Sequence, residues 1–297
     1  MSILVVYETG MAVDCAAAAF LKMIAPKVFT LYGCSRFETI NSQNLMRNVE
    51  ENVAWDSIIS IGTYWSKNNE RDAEFENYCE DVLYFSFGDE LEPWPRRRIL
   101  FAIKEECYGP LNFALDIAKD YVSEGILTLF RNTHRDLINF VDQRALGLNV
   151  SGTQPFFTGF FNCFEDNNFV ANFTKLFKGE ASLENIQKLG QSIMESQIKM
   201  AAERAKTNSK VITLKNGKTA LITEAPDLCN LSHDALRNFG DHPVTITVKM
   251  ALPTNKMNYS VRTYDGTDAR QIVEAINGGG SDFAAGGSID FELVIPF

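Results

Sequence analysis

A short apolar run, Ile3-Leu4-Val5-Val6-Tyr7, opens the chain and reads as a buried strand. Thr9-Gly10 supplies a turn, and alanine-rich residues 14–23 have helical spacing that stops before Pro26. Further apolar runs predict strands at 28–32, 57–61 and 82–87, with helical patterns between them at 42–53 and 70–80. Strands alternating with helices at this spacing predict a mostly parallel, helix-covered sheet. From 100 to 177 the pattern is mainly helical, with aromatic residues filling the core between the helices.

The texture changes at Ser182, a plausible N-cap. Leu183, Ile186, Gly190, Ile193, Gln197, Ala201 and Ala205 follow at helical spacing. The polar stretch Lys206-Thr207-Asn208-Ser209 then reads as a linker. Strands are expected at 210–214, 219–223, 244–250 and 258–263, a helix at 268–276, and a closing strand at 288–294. The expected organisation is α/β: a large parallel-sheet domain over 1–181, a connecting helix and linker over 182–209, and a small mixed domain over 210–297.

Charge narrows the function. Among 297 residues, 28 Lys and Arg stand against 38 Asp and Glu, a formal net charge of −10. That argues against broad duplex nucleic-acid binding, which needs a basic face, but leaves room for a local phosphate pocket. The one dense basic cluster, Pro95-Arg96-Arg97-Arg98, reads as solvated helix-entry charge or as part of a polyanion site. Six scattered cysteines without a CxxC pair suggest neither zinc nor a disulfide framework, hence a reducing compartment. With no leader and no long apolar run, the expected location is cytoplasmic, with no membrane partner.

The most informative segment is Asn277-Gly278-Gly279-Gly280-Ser281-Asp282-Phe283-Ala284-Ala285-Gly286-Gly287. Glycines let a backbone approach closely, and a run of exposed N–H groups attracts anions, above all phosphate. A tight turn between two elements is the plain alternative. Arg262 stands shortly before it and offers a planar fork for phosphate oxygens, unless it is a surface arginine paired across a strand. His134 reads as exposed, His233 as part of a helix start and His242 as a turn residue.

Ser260-Val261-Arg262-Thr263, the helix at 268–276, and Gly278-Gly279-Gly280-Ser281 followed by Ala284-Ala285-Gly286 resemble the DHHA1 domain of the DHH phosphoesterase superfamily. The opening Val5-Val6-Tyr7-Glu8-Thr9-Gly10, Asp14 and Ala16–Ala19 more loosely resembles its catalytic DHH domain. The resemblance implies two domains with a cleft between them. It also implies phosphate binding by Arg262, Gly278, Gly279, Gly280 and Ser281, and two divalent cations, usually manganese, that activate water.

The departures are as informative. Glu8 stands where the family has its opening histidine, Gly62 falls where an aspartate ends a strand, and Ser86-Phe87-Gly88 stands at the Asp-His-His signature. Asp142 is the fourth motif's surviving carboxylate, unless Arg144 has replaced it, and Ser281 replaces the histidine after the glycines. Asp14 is the one ligand position that transfers directly. Glu8, Asp14, Asp89 and Asp142 could hold a single magnesium-like ion. The blander reading has Asp14 capping its helix, Glu8 in a solvated loop and Asp89 in a solvated turn.

The sequence therefore leads to a divergent member with an eroded metal site that binds a phosphorylated ligand, a nucleotide or short oligonucleotide, with weak or no hydrolysis. An active Mn- or Mg-dependent phosphodiesterase with a rearranged site and an interaction protein keeping only the fold are the alternatives. A homodimer stays open.

Overall fold

The computed structural model describes residues 2–35, 55–62, 81–85, 109–148, 152–164, 166–225 and 230–290. The helices expected at 42–53 and 70–80, the arginine cluster at 96–98, Ser86-Phe87-Gly88 and Asp89 lie outside them. The chain divides into two compact units, 1–191 and 192–297.

In the first unit β1 (Ile3–Glu8), β2 (Phe29–Cys34), β3 (Ser57–Ile61) and β4 (Asp81–Phe85) form a parallel sheet in the order β2-β1-β3-β4. Ile3, Leu4, Val5 and Val6 are all fully buried. This is why β1 reads as a continuous apolar run: a strand covered on both faces needs no polar alternation. Helix α1 (Ala12–Ile24) follows, then α2 (Pro110–Ala118), α3 (Glu124–Thr133), α4 (Arg135–Ala145), α5 (Thr153–Cys163) and α6 (Phe169–Phe177). Helix α1 packs against the sheet and against α2 and α6. Its Ala16, Ala17, Ala18 and Ala19 are fully buried, as are the following Phe20 and Leu21, so the helix is enclosed on all sides over this stretch.

Phenylalanines fill the space between these helices, as the sequence predicts. Phe20 meets Phe130 at 4.6 Å between ring centroids, and Phe160 stacks on Phe173 at 4.5 Å. Each such pair adds roughly 0.5–1.5 kcal/mol beyond area burial.

Helix α7 (Leu183–Asn208) starts as expected, with Ser182 Oγ accepting the Asn185 N–H at 3.3 Å. It does not end where the sequence suggests. Lys206, Thr207 and Asn208 are helical rather than linker, and the Thr207 hydroxyl bonds back to the Glu203 carbonyl at 2.8 Å. A hydroxyl that finds a carbonyl four residues earlier lets a polar stretch stay in the helix. Near its start α7 crosses α5 backbone to backbone: a Cβ on Gly159 would collide with the Ile186 carbonyl, and one on Gly190 with the Pro155 carbonyl.

The second unit is a six-stranded mixed sheet. Its elements are β5 (Lys210–Thr213), β6 (Thr219–Glu224), α8 (Asn230–Phe239), β7 (Val244–Ala251), β8 (Lys256–Thr263), α9 (Ala269–Val273), β9 (Gly279–Gly280) and β10 (Ala284–Asp290). The strand order is β5-β6-β7-β8-β10-β9. Among the described residues of this unit only β6 and β7 pair in parallel, and α8 lies in the crossover that a parallel pair requires. One face carries Ala220, Val244, Ile246, Val261 and Ala285 under Ala269 and Val273 of α9. On the other face Leu221 packs with Leu236 of α8 and Ala205 of α7.

The closing strand differs from the expectation of 288–294. It begins at Ala284, so Ala284-Ala285-Gly286-Gly287 is sheet rather than loop. Backbone pairing with β8 from Lys256 to Arg262 sets it, and such pairing overrides the weak strand propensity of alanine and glycine.

Two candidate sites, one in each unit

In the first unit the acidic residues gather where β1 ends and α1 begins. Parallel strands commonly present ligand-binding groups at their carboxyl ends. Glu8 is the last residue of β1 and Asp14 lies in the first turn of α1. They are 6% and 3% exposed, so Glu8 is not the solvated loop residue expected. Asp14 is not the helix cap either: Met11 holds that position, without a side-chain bond to the helix.

Burial, then the neighbouring Glu8 carboxylate, push the Asp14 carboxyl well above its ordinary range. The loop between them is tied by the Cys15 thiol, which reaches the Glu8 and Thr9 carbonyls at 3.5 and 3.6 Å. Burial and the adjoining Cys15 and Cys34 thiols raise Tyr7 to about 12.

Gly62 closes this site from the end of β3. Its φ is +68°, and a Cβ there would collide with the Asp14 carboxylate. The position that resembles a ligand-bearing strand end thus lies directly against Asp14, with no room for a side chain.

Asp142 does not join Glu8 and Asp14. It is buried on α4 and accepts the backbone N–H groups of Leu111 at 2.9 Å and Asn112 at 3.1 Å, capping α2 from a distance. Burial raises its pKa to about 7, against the lowering pull of those bonds. Gly109 makes room for it, since a Cβ there would strike the aspartate. Arg144 instead lies over the Phe157 ring, 5.6 Å from its centroid. His134 is not the exposed residue expected; it is half-buried against Phe130 and Phe177, at 4.5 and 5.7 Å.

Among the described residues no three His, Cys, Asp or Glu side chains converge as metal ligands. Two buried carboxylates beside a glycine are too few, among the described residues, for a dinuclear centre, which needs several ligands to clamp two cations.

In the second unit the strand register brings Arg262 and the glycines together. Arg262 on β8 lies opposite Ala284 of β10, and the next residue, Ala285, lies opposite Gly280 of β9. Two strand spacings, about 10 Å, therefore separate the arginine backbone from the glycine strand.

The glycine segment supplies fewer donors than its composition suggests. Gly278 N–H bonds to the Val273 carbonyl at 3.0 Å, and Ser281 directs both its N–H, at 2.7 Å, and its hydroxyl, at 3.3 Å, to Ala284 O. Ser281 and Ala284 exchange both backbone bonds. By antiparallel alternation Gly280 then sits at a non-bonded position, with its N–H turned to the outer side of β9, the edge strand among the described residues.

Packing explains some of these glycines but not all. Gly280 has φ +146° and its Cβ would strike the Ala284 carbonyl. A Cβ on Gly278 would lie 2.6 Å from the Gly286 carbonyl. Around Gly279 a Cβ would meet nothing within 4 Å. The turn reading therefore accounts for Gly278 and Gly280, and leaves Gly279 without a packing reason.

His233 lies at a helix start as read, but its buried role was not read from the sequence. His233 on α8 is 1% exposed and reaches Thr245 Oγ1 at 2.8 Å and Ser260 Oγ at 3.0 Å. Burial, then the Arg262 charge, lower its pKa to about 4, so the ring is neutral at ordinary pH. The available cue was the alternation Val244-Thr245-Ile246-Thr247-Val248, which puts two hydroxyls on one face of a buried strand. His242 stays at the surface, 3.2 Å from Thr219 Oγ1.

No protein-family model matches the sequence, and no curated protein matches it. Solved structures do. The pGpG-specific phosphodiesterase PggH from Vibrio cholerae aligns with a TM-score of 0.50 at 11% identity, covering 98% of this chain and 94% of that one. Exonuclease RecJ bound to manganese aligns at 0.47 with 13% identity, over 97% of this chain and 86% of that chain. A DHH domain from a member of a family of ribosomal proteins aligns at 0.46 with 11% identity, over 96% and 82%. No described helix is long and apolar enough to cross a membrane. A parallel sheet followed by a mixed sheet, superposable over nearly the whole length of such an enzyme, is the fold of the DHH/DHHA1 phosphoesterases.

Proposed function

We propose that this chain binds a phosphorylated ligand, a nucleotide or short oligonucleotide, and hydrolyses it weakly or not at all. The observation that supports this most directly is the unequal state of the two candidate sites. Arg262 and the glycine strand flank the same strand, β10, and Gly279 is a glycine that packing does not require. A guanidinium fork and a backbone N–H at an open edge are phosphate-binding groups.

The hydrolytic side keeps less. Glu8 replaces a histidine, Gly62 an aspartate and Ser281 a histidine, and Asp142 is engaged at the start of α2. Ser281 can still donate a hydrogen bond, but a hydroxyl does not act as a general acid near neutral pH. Because PggH is a pGpG-specific enzyme, a 5′-phosphorylated dinucleotide is the first probe to use.

Titration calorimetry with that probe tests the reading. Arg262→Ala is expected to weaken binding roughly ten- to hundredfold, the worth of one charge-assisted contact at about 1.5–3 kcal/mol. Added manganese is expected to give little or no cleavage. Rapid turnover that Asp14→Ala abolishes would instead establish an Mn-dependent phosphodiesterase, and no binding at all would leave only the fold.

A further inference from the structure

The face of the second sheet that α8 covers is polar along β8. Asn230, His233 and Arg237 are three and four residues apart on α8, hence on one side of it. Each meets a different partner. Asn230 Oδ1 accepts from Arg262 Nη2 at 3.1 Å, His233 reaches Ser260 and Thr245, and Arg237 lies over the Tyr264 ring at 4.4 Å. Ser260, Arg262 and Tyr264 alternate along the chain, so the helix and the strand stretch meet step for step.

We propose that Asn230 is a positioning residue for Arg262, its carboxamide aiming the guanidinium at a bound phosphate. This deepens the phosphate-binding reading of Arg262 and rests on it.

The choice of an amide has a chemical reason. A guanidinium has only donors, so it is held by acceptors alone, and the amide atom facing it must be Oδ1. Asn230 Oδ1 and the Val261 carbonyl, 3.2 Å from Nη1, are both uncharged. A carboxylate at position 230 would hold the arginine more tightly but cancel the charge that attracts an anion. The neutral amide fixes direction and leaves the charge to the ligand.

His233 serves the same end one turn along α8. Its ring bridges β7 and β8 through Thr245 and Ser260, fixing the height of the helix over Arg262, and as a neutral ring it adds no second charge. A side chain held before binding loses less rotamer freedom on binding, which is the usual gain from preorganisation.

The test is calorimetric titration of the full chain with a 5′-phosphorylated dinucleotide, and with the same dinucleotide lacking that phosphate. Asn230→Ala is expected to weaken the phosphorylated probe about three- to tenfold. It should leave the unphosphorylated one unchanged and have no further effect in an Arg262→Ala background. Asn230→Ser, which keeps an oxygen acceptor, should recover part of the loss, and Asn230→Asp should bind worse than Asn230→Ala. Asn230 is exposed, so the variants are expected to unfold at the wild-type temperature.

If Asn230→Ala binds like wild type while Arg262→Ala is weakened, the positioning role falls and phosphate binding stands. If Asn230→Ala weakens binding equally with or without Arg262, the role also falls. If Arg262→Ala binds like wild type, the phosphate reading fails, and the positioning role with it.

Discussion

The acidic corner of the first unit and the arginine–glycine face of the second differ most in access. Glu8 and Asp14 are nearly sealed, with burial rather than ionic partners setting the Asp14 carboxyl's behaviour. Arg262 is half-buried, and Gly279 looks onto open space. A group that must meet an incoming anion needs solvent on one side, whereas a buried carboxyl beside another acid, as Asp14 is, favours its protonated form. The comparison teaches that two polar clusters of one chain can differ in access: the carboxylates of the first unit are absorbed into packing, while Arg262 and Gly279 keep a side open to solvent.

The sharpest way to break this contrast is Gly62→Asp. It puts a side chain at a left-handed residue and against Asp14, and is expected to destabilise the first unit by roughly 3–5 kcal/mol. Chemical denaturation measures it. A Gly62→Asp protein that folds normally and gains manganese affinity would show instead a cation site lacking one ligand.

Next, Asp142→Ala removes the acceptor for two backbone N–H groups at the start of α2 and should cost about 2–3 kcal/mol in the same assay. A variant as stable as wild type, with altered metal binding, would return Asp142 to the acidic corner.

A smaller effect is expected from pH. Asp14 and Asp142 both have raised pKa values in the fold, Asp142 at about 7, so the folded chain holds protons that the unfolded chain releases near pH 4. Their stabilising contribution is complete below the unfolded pKa and is lost as pH rises through the folded one. The thermal midpoint of the first unit should therefore fall between pH 5 and 8 by a few degrees, and Asp142→Asn should flatten the curve. A midpoint that rises over this range contradicts the burial account.

The smallest effect on stability is expected from Gly279→Ala, within about 1 kcal/mol because nothing crowds the position. Its affinity for a 5′-phosphorylated dinucleotide should nevertheless fall. Unchanged affinity would mean that no ligand approaches this backbone.

Much of the fold was legible because strands and helices impose periodicity. β3 lies at 57–61 as read, and the strands expected at 210–214, 219–223, 244–250 and 258–263 recur at 210–213, 219–224, 244–251 and 256–263. By contrast, α8 was read only as a helix start at His233, and β9 was not expected. Arg262 and the glycine segment were legible as a pair through their resemblance to a DHHA1 domain, and the strand register sets them on the two strands that flank β10. The interior of the acidic corner was not, since exposure of Glu8 and Asp14 depends on strands and helices distant in the chain. His233 was missed for the same reason: its partners Thr245 and Ser260 are 12 and 27 residues away, and only sheet register brings them together. Nor does a run of three glycines reveal which of them the backbone demands; that required the φ of Gly280 and the crowding at Gly278.

The four enclosed alanines of α1 have one more effect. Being consecutive, they point to different sides of the helix, so α1 is packed against neighbours on every side at this level. Asp14 stands on that same enclosed helix, so its nearness to Glu8 is set by the packing of the core.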